Sequence, residues 1–255
     1  MQMNLFYRKY GQGPPLLILH GLFGSADNWH SLAKRWSHSF TVYALDLRNH
    51  GSSPHESAMD YLEMVHDLNH FCQQEDLDQV NIVGHSLGGR VAMLFATRYP
   101  QKIVSLTILD IGIGPVKRGH EPILNVLRTL DLAAFSDRGS LEKEFKKTIG
   151  SAQICQFLLK NVLRKVDGSL GWKFNHEALL DHYEDLTAPL EPDDPFIGSV
   201  LFLRGENSDY LDDRLSPEIL SYFPLARLET IPDAGHWIHA DQPDAVFKMV
   251  NEFVI

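Results

Sequence analysis

The chain is poor in cysteine, in long apolar runs and in positive charge. Its 255 residues include only two cysteines, Cys72 and Cys155, with no CxxC spacing, and both lie in helix-like apolar patterns. We therefore expect two small buried thiols rather than a disulfide or a catalytic cysteine. The apolar runs are much shorter than the roughly 20 residues that span a bilayer, and the N-terminus has no apolar signal-peptide core. A cytoplasmic, reducing location is predicted.

The charge balance is acidic. Lys and Arg together number 23 against 33 Asp and Glu, which gives a formal net charge of −10. An acidic surface repels phosphate backbones and anionic lipid, so nucleic-acid and membrane partners are not expected. A small-molecule substrate is expected instead, and the composition predicts no particular oligomeric state.

Short apolar runs alternate with helix-like stretches along most of the chain. The runs span 16–19, 41–47, 80–83, 103–109, 199–203 and 226–231. Their continuous apolar character is typical of strands buried on both faces of a parallel sheet. The segments between them, such as 61–74 and 91–100, have helical periodicity. This alternation predicts an α/β fold with a mostly parallel central sheet and helices on both of its faces.

One long stretch interrupts the alternation. From 112 to 195 the pattern indicates only helical segments, and the Pro-rich exit TAPLEPDDP leads back to the strand pattern. We predict a core domain formed by 1–111 and 196–255. Residues 112–195 are predicted to form a helical cap over the carboxyl edge of the sheet.

The strongest chemical signal is the G-x-S-x-G sequence at 84–88. Chance gives roughly 0.1 such match in a chain of this length, and here the motif directly follows a strand pattern and opens a helix pattern. A sharp strand-to-helix turn would present the Ser86 hydroxyl, and a side chain at Gly84 or Gly88 would collide with neighbouring backbone. The Leu87 N–H at the helix start would lie beside the nucleophile as an oxyanion-hole donor.

Two further loops complete a candidate hydrolytic site. The loop HGLFGS after the first central strand brings backbone close to the site, so the Leu22 N–H, or else that of Phe23, is a second candidate oxyanion donor. His20, in the same loop, is expected to be structural. His236 follows the last strand run in IPDAGHWIHADQPD and is the candidate general base, whereas His239 is expected to face elsewhere.

These pieces resemble the α/β-hydrolase superfamily in their order and spacing. The segments that carry the resemblance are HGLFGSADNW, ALDLRNHGSS, VGHSLGGRVAM, LDIGIGP and IPDAGHWIHADQPDAV. The chain is most similar to the small bacterial YbfF-type esterases and their abhydrolase relatives. The resemblance implies a capped α/β-hydrolase fold, no cofactor, and hydrolysis of acyl esters or thioesters, including acyl-CoA. It also implies that Ser86 is the nucleophile, His236 the base, and the Leu22 and Leu87 amides the oxyanion hole.

The acid of the expected triad has two candidates. Many relatives carry Asp three residues past a glycine after the strand at 199–203, but here Ser208 holds that position and Asp209 follows it. The other known place is the end of the strand before the insertion, which in this sequence carries Asp110. A carboxylate that ends a wholly apolar strand requires a hydrogen-bonded partner, and an imidazolium would serve. Asp110 is the predicted acid and Asp209 the alternative.

Other functions and ligands have weaker support. On this fold, a cofactor-free haloperoxidase or a C–C bond hydrolase is the alternative enzyme class. A non-catalytic binding protein would not need an intact set of Ser, His and Asp. His66 and His70 are four residues apart, but no third ligand is evident, so no metal site is predicted. The aromatic residues of the insertion are expected either to line an acyl pocket or simply to pack: Phe135, Phe145, Phe157, Trp172 and Phe174.

Overall fold

A computed structural model describes residues 3–116 and 119–254, and its centre is a seven-stranded sheet. The strand order is β1-β3-β2-β4-β5-β8-β9. All neighbouring strands run parallel except β1, which pairs antiparallel with β3 at one edge. The strands are β1 (Tyr7–Tyr10), β2 (Pro15–Leu19), β3 (Thr41–Leu45), β4 (Val80–His85), β5 (Ile103–Leu109), β8 (Ser199–Gly205) and β9 (Ala226–Ile231).

Helices cover both faces of this sheet, as predicted. One hydrophobic cluster includes Phe71 from helix α2 (Tyr61–Gln74) and Val91 from α3 (Leu87–Arg98). A second cluster includes Trp36 from α1 (His30–Trp36) and Val246 from α11 (Pro243–Val254). The six predicted strand runs are confirmed. Strand β1, with the sequence YRKY, was not among them, because an edge strand with exposed residues lacks the continuous apolar pattern. The helices of the core are α1 (His30–Trp36), α2 (Tyr61–Gln74), α3 (Leu87–Arg98), α9 (Pro217–Tyr222), α10 (Ile238–Asp241) and α11 (Pro243–Val254).

The chain leaves the sheet between β5 and β8. The described part of this inserted segment (112–195, without 117 and 118) contains five α-helices: α4 (Glu121–Thr129), α5 (Arg138–Ile149), α6 (Ala152–Lys160), α7 (His176–Asp181) and α8 (Tyr183–Thr187). Two short antiparallel strands, β6 (Val162–Arg164) and β7 (Leu170–Trp172), form a separate sheet beside them.

The expectation of an entirely helical insertion is therefore wrong at 162–172. Helix α6 ends at Lys160, and the following residues form a hairpin whose turn contains Asp167 and Gly168, with φ of +87° at the glycine. An Asp-Gly pair between apolar runs is a strong local hairpin signal, because glycine adopts positive φ without a steric cost. The apolar spacing of KNVLRKV concealed that signal.

The two connections of the inserted segment lie side by side and contact the helix that follows Ser86. The Val116 N–H donates to the Thr187 carbonyl at 2.8 Å. The buried Arg90 guanidinium of α3 donates to the carbonyls of Gly114 and Leu186, at 2.7 and 3.0 Å. Helix α3 is thereby fixed to both ends of the insertion.

The helices among the described residues are too short or too polar for any of them to cross a membrane.

Candidate active site

Ser86 sits on a sharp turn between β4 and α3. Its backbone has φ 51° and ψ −118°, a conformation that is unusual for a residue with a side chain. A Cβ at Gly84 would lie 2.5 Å from the Gly88 carbonyl oxygen, and a Cβ at Gly88 would lie 2.4 Å from the Leu19 carbonyl oxygen. Both glycines are required, because the turn brings strand and helix backbones into direct contact.

The Ser86 hydroxyl begins a chain of hydrogen bonds. It lies 3.1 Å from His236 Nε2, and His236 Nδ1 lies 2.8 Å from Asp110 Oδ2. With a proton on Nδ1, the ring donates to the carboxylate and leaves Nε2 free to accept the proton of Ser86. This is the geometry of a nucleophile, a general base and an orienting acid.

Asp110 is fully buried directly after β5. Its backbone has φ of +52°, and its N–H donates to the Leu203 carbonyl of β8 at 2.7 Å. The carboxylate accepts from the Gly205 N–H at 2.9 Å through Oδ1, and from the Ser208 hydroxyl and His236 through Oδ2. The carboxyl ends of β4 and β5 are neighbours, because His85 and Leu109 pair in the parallel register.

The structure does not bring Asp209 to His236. Asp209 is exposed, and the imidazole of His236 contacts Asp110 instead. From the sequence, Ser208 stands out only as the absence of an aspartate. In the structure its hydroxyl donates to Asp110, which follows the neighbouring strand. The departure of Ser208 from the relatives' pattern was the signal that could have identified it.

Backbone and ring contacts fix the His236 imidazole. His85 Nε2 lies 2.8 Å from the carbonyl oxygen of His236 and donates to it. The ring of Tyr210 stacks on the His236 ring with centroids 3.6 Å apart. The Gly235 N–H, one residue earlier, donates to Asp241 Oδ2 at 2.9 Å. These contacts hold His236 at its ring face, at its carbonyl oxygen and at the preceding backbone N–H.

The loop after β2 lies against Ser86. A Cβ at Gly21 would lie 2.8 Å from His85 Nδ1 and 3.2 Å from Ser86 Cβ, so only glycine allows this approach. Among the hydrogen bonds of the described residues, neither the Leu22 N–H nor the Leu87 N–H has an acceptor. The Phe23 N–H, in contrast, donates to His50 Nε2 at 3.2 Å. Leu22 and Leu87 therefore have the free N–H groups that an oxyanion hole needs.

His20 holds this loop rather than reaching Ser86. Its Nδ1 lies 2.8 Å from the Gly21 carbonyl oxygen, and its Nε2 accepts from the Leu47 N–H at 3.0 Å. Asp46, in the loop after β3, accepts from the N–H of Ala26, in the loop after β2, at 2.6 Å. This hydrogen bond holds the two loops together. Burial lowers the pKa of His20, which keeps the ring neutral and able to accept.

Other neutral histidines surround the site. Burial, and after it the charges of neighbouring His239 and His236, lower the pKa of His85 well below its usual value. Burial, and after it the charge of His236, lower the pKa of His239 to about 3. The His239 ring stacks on Trp29 with centroids 4.3 Å apart. In the inserted segment, burial lowers the pKa of His120 to about 4. Only His236, among these rings, contacts both Ser86 and a carboxylate.

A cavity of about 420 Å³ opens above Ser86. Its walls come from the core, including His236 and Trp237, and from the inserted segment, including His120, Ile123 and Phe157. Phe157 is the only one of the five aromatic residues considered above that lines this cavity. Trp172 instead stacks between Phe145 and Phe174, with ring centroids 5.9 and 5.0 Å away. This arrangement is side-chain packing within the inserted segment.

No three His, Cys, Asp or Glu side chains in the described part of the chain are grouped so that they could hold a metal ion. Cys72 and Cys155 are both buried and unpaired by any disulfide.

A mostly parallel sheet that carries a serine in a sharp turn at the end of its central strand, with a histidine after the last strand, defines the α/β-hydrolase class. The chain belongs to the alpha/beta hydrolase family, whose model matches residues 16–249.

Several of the proteins that the chain resembles are named as esterases or lipases. A solved structure described as a marine microorganism esterase is 40% identical, with a TM-score of 0.96, and the match covers 99% of this chain and 100% of that one. Esterase YbfF of Escherichia coli is 32% identical, over 94% of this chain and 92% of its own length. The sn-1-specific diacylglycerol lipase ABHD11 of Danio rerio is 36% identical, over 94% of this chain and 79% of its own length. These relatives support ester hydrolysis by a hydrolase.

Proposed function

We propose that the protein is a serine esterase that cleaves small acyl esters through an acyl-enzyme, with Ser86 as nucleophile, His236 as base and Asp110 as acid. The observation that carries the proposal is the continuous hydrogen-bonded chain from Ser86 through His236 to Asp110 at the floor of an open cavity. Acyl thioesters follow the same chemistry and belong to the proposed substrate class.

The reaction proceeds in two halves. His236 Nε2 accepts the hydroxyl proton while Ser86 Oγ bonds to the acyl carbon, and the carbonyl electrons move onto oxygen. The Leu22 and Leu87 N–H groups stabilise that oxyanion. On collapse, the leaving oxygen or sulfur takes the proton from Nε2. Water then attacks the acyl-enzyme, with the same base accepting its proton and returning it to Ser86 Oγ.

We propose that residues 112–195 act as a cap domain on the core formed by 1–111 and 196–255. Helix α6 supports this role, because Phe157 packs on Trp237 with ring centroids 5.5 Å apart. Gln153 Nε2 also donates to Asp241 Oδ1 at 2.9 Å. A substrate must pass beside these contacts to reach Ser86. A cytoplasmic location remains a prediction.

The test is covalent labelling joined to hydrolysis. A fluorophosphonate should add one label per chain, on the peptide that contains Ser86, and p-nitrophenyl acetate should be hydrolysed. Ser86→Ala should abolish the label and lower kcat by a factor on the order of 10⁶, the scale found when a serine protease loses its nucleophile. Ser105→Ala is the matched control, since it removes a buried hydroxyl that bonds to Asn81 rather than to the site, and it should keep the label. Labelling that persists in Ser86→Ala would refute the assignment.

A further inference from the structure

Ser86 lines two cavities of very different size. The large one, of about 420 Å³, is also lined by His236. The small one, of about 20 Å³, shares Leu22 and His120 with it but is not lined by His236. Its walls include Leu22, Leu87, Arg90, Ile111, Val116 and Leu186.

The chemistry assigns one part of the substrate to each cavity. In the tetrahedral intermediate, the acyl carbon holds Ser86 Oγ, the oxyanion, the leaving oxygen and the acyl chain. The leaving oxygen must face His236 Nε2, because it takes its proton from that atom. His236 lines only the large cavity, so the alcohol or thiol part extends there. Leu22 and Leu87, whose N–H groups hold the oxyanion in the proposed reaction, also line the small cavity, so the oxyanion and the acyl chain both lie on that side of the acyl carbon.

The small cavity sets a limit on the acyl chain. A water molecule needs about 10–15 Å³ of such space, so a cavity of about 20 Å³ holds little more than one methyl group. The side chains that form its walls have little room to move. Leu186 and Ile111 are almost fully buried, and Arg90 is fixed to the carbonyls on both connections of the inserted segment.

We propose that the protein selects acetyl esters, or acetyl thioesters, of bulky alcohols or thiols. The small cavity takes the acetyl methyl and the large cavity takes the leaving group. This inference rests on the proposed function and specifies which end of the ester is large. Phe157, on the large cavity, then governs the choice of alcohol rather than that of acyl chain.

Two isomeric esters test the orientation. Octyl acetate and ethyl octanoate have the same atoms and similar hydrophobicity, but they place the long chain on opposite sides of the ester. We expect kcat/KM for octyl acetate to exceed that for ethyl octanoate by about 100-fold, since a closed pocket rejects even one extra methylene by 10–200-fold. Equal rates, or faster cleavage of ethyl octanoate, would overturn the inference.

Variants in the walls of each cavity test which cavity sets the preference for the acyl chain. Leu186→Ala or Val116→Ala should enlarge the small cavity and raise the rate on p-nitrophenyl butyrate relative to the acetate by about tenfold. Phe157→Ala is the matched control. It should alter the preference among acetates of different alcohols and leave the butyrate-to-acetate ratio unchanged. A shift of that ratio in Phe157→Ala, with none in either small-cavity variant, would contradict the assignment.

Failure of this inference is distinguishable from failure of the proposed function. If the phosphonate labels Ser86 and ethyl octanoate is the better substrate, the protein is a serine esterase with the opposite orientation. If Ser86 is not labelled and neither ester is cleaved, the proposed function itself is refuted.

Discussion

Replacing Asp110 by Asn should remove most activity without disturbing the fold. The Gly205 N–H lies 2.9 Å from Asp110 Oδ1, so the new side chain must keep its oxygen there. The amide nitrogen then takes the place of Oδ2, where it donates to His236 Nδ1. The imidazole proton moves to Nε2, which faces Ser86 and can no longer accept its proton. The equivalent change in a serine protease triad costs about 10⁴ in kcat, and the same loss is expected here.

Asp209→Asn is the matched control, because it makes the same chemical change at an exposed site in the adjoining loop. Steady-state hydrolysis of p-nitrophenyl acetate gives kcat for both variants, and thermal unfolding verifies that each is folded. Asp209→Asn should stay within about tenfold of the parent protein. The reasoning fails if Asp110→Asn keeps activity within that range while folded, or if Asp209→Asn suffers the larger loss.

Three other outcomes are expected. Adding Ser208→Asp to the Asp110→Asn variant should raise kcat about tenfold above that of Asp110→Asn alone, since the Ser208 side chain already contacts the position of the acid. A lower kcat in a double variant that still folds would contradict this. Gly88→Ala should destabilise the fold by about 3 kcal/mol, because its Cβ would lie 2.4 Å from a backbone oxygen of β2. Gly114→Ala is the control, since its Cβ would have no atom within 4 Å. Denaturant unfolding should show a lower midpoint for Gly88→Ala and little change for Gly114→Ala. Acid should also destabilise the protein. His239 stays neutral in the fold down to about pH 3, whereas in the unfolded chain it binds a proton near about 6.5, so stability is complete above that pH and falls below it. By about pH 5 the loss reaches about 2 kcal/mol, and His239→Gln should flatten the dependence of unfolding free energy on pH.

Local sequence determined the elements that depend on short-range chemistry. Buried strands such as β4 and β5 are visible because both of their faces are apolar. The turn at Ser86 can be predicted from the sequence because the turn brings neighbouring backbones into contact, and only glycines avoid a clash there. The position of His236 is visible because it directly follows the last strand. Each of these features leaves a pattern within a few residues.

Tertiary structure decided what depends on contacts between distant residues. Asp110 and Asp209 are both carboxylates after a strand, yet only Asp110 contacts His236, from the end of β5 and across the intervening strand β8. Ser208 contacts the acid across 98 positions of sequence, so no local pattern could reveal it. Phe157 and Trp172 both belong to apolar patterns of the insertion, yet only Phe157 reaches the cavity. Sequence spacing specifies which face of an element is apolar, whereas the packing of elements against each other decides what that face meets.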